Sequence, residues 1–95
     1  MNHIKARVEA LRKLVDEIKN AETIFERAAL FAGIRGLADN LIDDESLNDF
    51  AKEKADSIRY HSAAALGLDF AGDHDAEAHL VWVYGDMNTL ESAYD

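Results

Sequence analysis

The chain has 95 residues, ten of them Lys or Arg and nineteen Asp or Glu, for a net charge of −9, with neither Cys nor Pro. The lack of Cys excludes disulfides, thiolate chemistry and cysteine zinc sites, and the charge disfavours direct binding to DNA or RNA, whose phosphates it repels. The charge is also uneven: residues 60–95 hold no Lys or Arg but seven acids (Asp69, Asp73, Asp75, Glu77, Asp86, Glu91 and Asp95), whereas the first 36 residues are mildly basic. With 48% apolar residues a core is available and disorder is not expected. Much of that fraction is Ala, so the expectation is one thin-cored domain over residues 1–95 whose stability leans on self-association. The opening MNHIKARVEALRK has no uninterrupted apolar stretch like that of a secretory signal, and Ala28 to Ile34 is too short to span a bilayer. The expected location is cytoplasmic.

Zero Pro and five Gly favour helix throughout. Ile4, Val8, Leu11, Leu14, Val15 and Ile18 recur at three-and-four spacing and predict a first amphipathic helix. Thr23-Ile24-Phe25-Glu26 fits a capping box, which predicts a break at residues 20–23, with Asn20 closing the first helix in a left-handed conformation. The alternative is one long N-terminal helix reaching Gly33, since the stripe continues in phase through Ala21, Phe25, Ala28 and Ala32.

The next segment, Ile24 to Ile42, carries Ala28, Ala29, Ala32, Gly33 and Gly36. Two glycines inside a helix cost about 1 kcal/mol each relative to Ala, so close approach of a neighbouring helix, or a kink, is expected there. Ser46, three residues before Asp49, is read as the N-cap of a third helix. Its inward side is Leu47, Ala51, Ala55, Ile58, Ser62, Ala65 and Leu66. Gly67 and Leu68 then suit a Schellman stop. Asp73 is read as the cap of a fourth helix, whose apolar seam runs Ala76, Leu80, Val83, Met87, Leu90, Tyr94. Val81-Trp82-Val83-Tyr84 alone has strand propensity, but the longer period decides for helix. The sum is all-α, a small four-helix bundle.

Three features bear on function. Trp82 lies off the seam, beside Ala78, Thr89 and Ala93 and between Asp75 and Asp86, the composition of an interface hot spot; the plainer reading is a core indole covered by a neighbouring helix. Asp49, Glu53, Asp56 and Tyr60 form one acidic line ending in an aromatic. Carboxylates at that pitch can stand in for strand phosphates before a basic groove, although most charge runs are simply solvated. Residues Asp73 to His79 supply His74, Asp75, Glu77 and His79 in two-ligand spacings, with His61 as a distant third. No HExxH occurs, a calcium loop starting at Asp69 would put His74 where Gly is required, and acids at a helix start need no metal. No metal or cofactor is therefore expected, and the serines lack a nucleophile elbow.

These readings converge on a small, non-enzymatic binding or inhibitor protein that covers the basic, nucleic-acid-binding surface of a partner protein, possible homo-oligomerisation aside. Its expected anchors are Trp82, Tyr84 and Tyr60, with Asp49, Glu53, Asp56, Asp75 and Asp86 steering approach. In kind, though in no motif, the profile is similar to that of anti-CRISPR proteins and bacteriocin immunity proteins. The alternative is a self-assembling helical adaptor whose stripes at Ile4–Ile18 and Ala76–Tyr94 pair between copies.

Overall fold

A computed structural model describes residues 3–94. Among them are four α-helices, α1 (His3–Val15), α2 (Ile24–Ile42), α3 (Asp49–Ala65) and α4 (Ala76–Ala93), with a short 3-10 turn at Ile18–Asn20. No helix among the described residues is long and apolar enough to cross a membrane. Each helix packs on the next in the chain, and α4 closes on α1. The result is a four-helix bundle with α1 opposite α3 and α2 opposite α4.

The break after α1 is local chemistry. Thr23 accepts from the Glu26 backbone N–H at 3.1 Å, and the Glu26 carboxylate accepts from the Thr23 N–H at 3.0 Å. That reciprocal pair satisfies two of the donors a helix start leaves orphaned. Asn20 is not left-handed: among the described residues none other than glycine has positive φ. The chain instead tightens into the 3-10 turn, keeping Ile18 buried, and extends at Ala21. At the far end of α3 the expected Schellman stop is present. Gly67 has φ 75°, its N–H donates to the Ala64 carbonyl at 3.0 Å, and the Leu68 N–H donates to that of Ala63 at 2.8 Å.

Two caps lie elsewhere than predicted. Asn48, not Ser46, caps α3, accepting from the Ala51 N–H at 2.9 Å. Ser46 donates instead to Asp44, from its hydroxyl at 2.6 Å and its backbone N–H at 2.9 Å. Asp75, not Asp73, caps α4 through the Ala78 N–H at 2.9 Å. Both segments offer several capping side chains in a row, and the one that wins is set by where Leu47 and Leu80 must enter the core.

That core gathers Ile4, Val8, Leu11 and Val15 of α1, Ile34 and Leu41 of α2, Ile58 of α3, and Leu80, Val83, Met87 and Leu90 of α4. Ala76 is exposed and Tyr94 half-buried, so the predicted seam of α4 is inward only over its middle. Ala38, Ala51, Ala55, Ala63 and Ala64 fill the gaps, which makes the core as thin as the composition implies. Ser62 is fully buried in it, and its hydroxyl has no hydrogen-bond partner among the described residues. Ser62→Ala is therefore expected to raise stability by about 1 kcal/mol, since it removes an unsatisfied buried group from a helix interior. A urea midpoint that falls instead would mean the hydroxyl is bonded in solution.

The small-residue face of α2 behaves differently from expectation. A Cβ on Gly33 would lie 3.1 Å from Leu14 Cδ1, so one close approach exists, but Gly36 has nothing within 4 Å. Ala28, Ala29 and Ala32 are exposed, as is Phe25 at 83%. The helix is apolar nearly all round, and the bundle covers only one side of it.

Candidate docking face

The loop between α3 and α4 and the helix turns that flank it carry three exposed aromatic side chains, Tyr60, Phe70 and Trp82. Gly67 and Gly72, both with positive φ, let the chain reverse within a few residues. Tyr60, near the end of α3, donates its hydroxyl to the Phe70 carbonyl at 2.9 Å, and the Phe70 N–H donates to Asp69 Oδ1 at 2.7 Å. His79, in the first turn of α4, is 2% exposed, with Nε2 2.8 Å from the Ala71 carbonyl and Nδ1 2.8 Å from His61 Nδ1. The loop is thus pinned to both helices.

On that base the rings form one cluster. The Trp82 indole lies 4.9 Å from the His61 ring, 4.7 Å from His74 and 5.3 Å from His79 between centroids. Tyr60 stands edge-on to His61 at 5.0 Å and to His79 at 6.0 Å. The indole is neither sealed in the core nor free: it is 39% exposed, while Tyr60 is 41% exposed and Phe70, whose carbonyl Tyr60 holds, 81%. Asp69, Asp73 and Asp75 are exposed along the same loop, and no Lys or Arg occurs from residue 60 onward.

Not every predicted anchor belongs to this face. Trp82, Tyr60 and Asp75 come together here. Tyr84 points the other way, toward α1, where its hydroxyl donates to Asp16 Oδ1 at 2.5 Å. Asp86 turns inward to Ser57 Oγ at 2.5 Å and Lys54 at 3.7 Å, its side chain 14% exposed. Asp56 is paired with Arg59, which also holds Asp39 of α2 at 2.6 Å. Asp86 and Asp56 are thus neutralised by bases of α3: the Asp56–Arg59 pair follows from their three-residue spacing on one helix, whereas Asp86 meets Lys54 only because α4 packs on α3. Asp49 and Glu53 remain exposed on the first turns of α3, Asp49 about 16 Å along the axis from Tyr60 at 1.5 Å per residue. Phe70 and the three clustered histidines were not foreseen as part of a binding face. The histidines stood out only as metal-ligand candidates, yet no group of three His, Cys, Asp or Glu among the described residues is placed to hold an ion.

The basic first half meets the acidic second half within the molecule. Arg7 reaches Asp44 at 2.8 Å, Arg12 reaches Glu91 at 3.3 Å, and Lys19 lies 3.8 Å from Glu77. Hydrogen bonds from the Ser46 hydroxyl and the Arg7 guanidinium hold the Asp44 carboxyl well below the usual carboxylate range. The α1 edge is thereby balanced, and the loop edge keeps its negative field.

Tyr84 offers a check on this geometry. Burial first, then the Asp16 carboxylate, push its phenol from 10.0 up to about 12. A folded pKa above the unfolded one means a stabilising contribution that is complete below pH 10.0 and lost as pH rises through about 12. An absorbance titration should show a late tyrosine ionisation that Tyr84→Phe removes. An unchanged titration curve in that variant would put Tyr84 outside the α1–α4 seam.

No model of a protein family matches the chain, and comparison with characterised proteins and with solved structures returns no match either.

Proposed function

We propose that the protein is a non-enzymatic, cytoplasmic binding module that docks a cationic surface of a partner protein onto the α3–α4 loop face. The observation that carries this reading is the conjunction, around the α3–α4 loop, of three exposed rings (Trp82, Tyr60 and Phe70) with the carboxylates of Asp69, Asp73 and Asp75, in a stretch of sequence without Lys or Arg. Partly buried aromatics on a fixed base are hot-spot material, because little entropy remains to be lost on docking. The surrounding negative field raises the encounter rate and disfavours acidic competitors. Asp49 and Glu53 extend that field along α3. A surface that binds phosphates through Lys and Arg is the chemistry that fits, so inhibition of a nucleic-acid-handling protein is the favoured form of the activity.

The test is a titration of purified basic proteins, nucleases and DNA-binding proteins among them, followed through the single tryptophan. Binding that perturbs the indole and weakens steeply with added salt is expected. If none of the panel binds at low salt, or if binding leaves the indole signal unchanged, this face is not the working surface.

A second reading, a self-associating module, has one observation in its favour. The stripes Ile4–Ile18 and Ala76–Tyr94 are spent on the molecule's own core and cannot pair between copies. The outer side of α2, where Phe25, Ala28, Ala32 and Gly36 are exposed and Asp39 is paired with Arg59, is instead where two copies of a −9 chain could meet with the least charge repulsion. Sedimentation equilibrium of wild type and Phe25→Glu distinguishes the two: a dimer abolished by the substitution supports self-association, and a monomer in both leaves the α3–α4 face as the binding surface.

A further inference from the structure

The contact between His61 and His79 has a fixed proton inventory. The Ala71 carbonyl can only accept, so His79 Nε2, 2.8 Å away, carries a hydrogen. In a neutral ring that leaves His79 Nδ1 with a lone pair. His61 Nδ1, also 2.8 Å away, must then be the donor, and His61 Nε2 is bare. One added proton fits this arrangement: it goes to Nε2 of His61, the more exposed ring, whose Nδ1–H still donates to His79. A second proton does not fit. It must enter at His79 Nδ1, where it would face the His61 N–H across 2.8 Å, with two cationic rings 5.1 Å apart between centroids.

We propose that the two histidines are a proton-operated latch, which holds the α3–α4 loop closed while at most one ring is charged and releases it when both are. The loop is the moving part because His79 is its tie: losing the ring from its buried seat frees the Ala71 carbonyl and unstacks Trp82 and His74. Tyr60 of α3 stands edge-on to both rings. The charges acting on His61 come from α4, through His79 and Asp86, and from His74 of the loop, none of them from α1 or α2. Asp86, itself engaged by Ser57 and Lys54, favours the charged ring, while burial foremost, then His79 and His74, hold the His61 pKa below its ordinary 6.5. With the folded value depressed, charging His61 weakens the closed state without opening it: its stability is full above pH 6.5 and declines as pH falls through the folded pKa, and the second proton, at His79, then releases the loop. The latch stands whether or not the face binds a cationic partner.

The experiment is a titration of the full chain from about pH 8 to about pH 4.5, the span in which imidazoles change charge, followed by imidazole ¹⁵N shifts and by amide hydrogen exchange. The two rings are expected to take up protons in separate, coupled steps. At the second step the Trp82 indole resonance and the backbone resonances of residues 69–74 should shift, while the amides of α1 and α2 keep their protection. In His61→Gln, which removes one charge of the pair, loop opening should move down by about one pH unit or vanish, whereas His74→Gln should leave a two-step opening. Loop and indole resonances that stay in place with both rings charged would overturn the latch. So would global unfolding before the loop opens, or an unmoved midpoint in His61→Gln.

Discussion

Ile58→Ala is expected to cost about 3 kcal/mol, the middle of the range for truncating a fully buried Ile. The side chain has no exposed surface and sits on α3, the helix that packs against both α2 and α4. Because its nearest buried neighbours along the helix are the small Ala55 and Ser62, little neighbouring bulk is available to collapse into the void. The cavity contribution should therefore survive on top of the lost transfer free energy. A chain of this length holds roughly 5–14 kcal/mol in total, so the single change removes a large share. A shift in the urea midpoint with an unchanged slope is the expected signature. A loss below about 1 kcal/mol would show that the thin core repacks freely, as a loosely ordered bundle does.

Trp82→Ala should weaken capture of a basic partner by at least ~2 kcal/mol, about thirtyfold in Kd, with the effect mainly in the dissociation rate. Its fold should persist, because the indole lies over the histidines with 39% of its surface exposed and contributes nothing to the central core cluster. Charge reversal at Asp69 and Asp73 acts on the other half of the mechanism. The pair of substitutions to Lys should slow association and flatten the salt dependence while leaving dissociation nearly unchanged. Tyr84→Phe serves as the control, since its hydroxyl is committed to Asp16 on the far side of α4. Surface plasmon resonance at two salt concentrations separates these outcomes. Equal loss of helical signal and of capture in Trp82→Ala would make the indole a structural residue and defeat the docking proposal.

Helix periodicity located the four helices and the middle of the α4 seam, and short-range chemistry located the break at residues 20–23 and the stop at Gly67. Those features rest on interactions between residues three to five apart, so they are written in consecutive letters. The caps were harder, because Asp44, Ser46 and Asn48, or Asp73 and Asp75, are chemically equivalent candidates, and the register of the packed helix selects among them. Periodicity was weakest where helices are apolar on several sides: it could not tell that Ala28 and Ala32 face outward while Ile34 and Ala38 face in.

What the amino-acid order determined on its own is the helical class, the segmentation, and the excess of carboxylate in the second half. What only the folded arrangement decided is which charges survive as an external field and which rings share a surface. Arg12 and Glu91 are far apart in the chain, as are Tyr84 and Asp16, and His61 and His79; each pair is made by packing of one helix on another. Such pairs depend on the rotation and offset of whole helices, a collective outcome of core filling that no local spacing encodes. That is why Asp86, promising by position, is neutralised by Lys54, and why an unremarkable Phe70 in a glycine-flanked loop lies beside the indole's cluster.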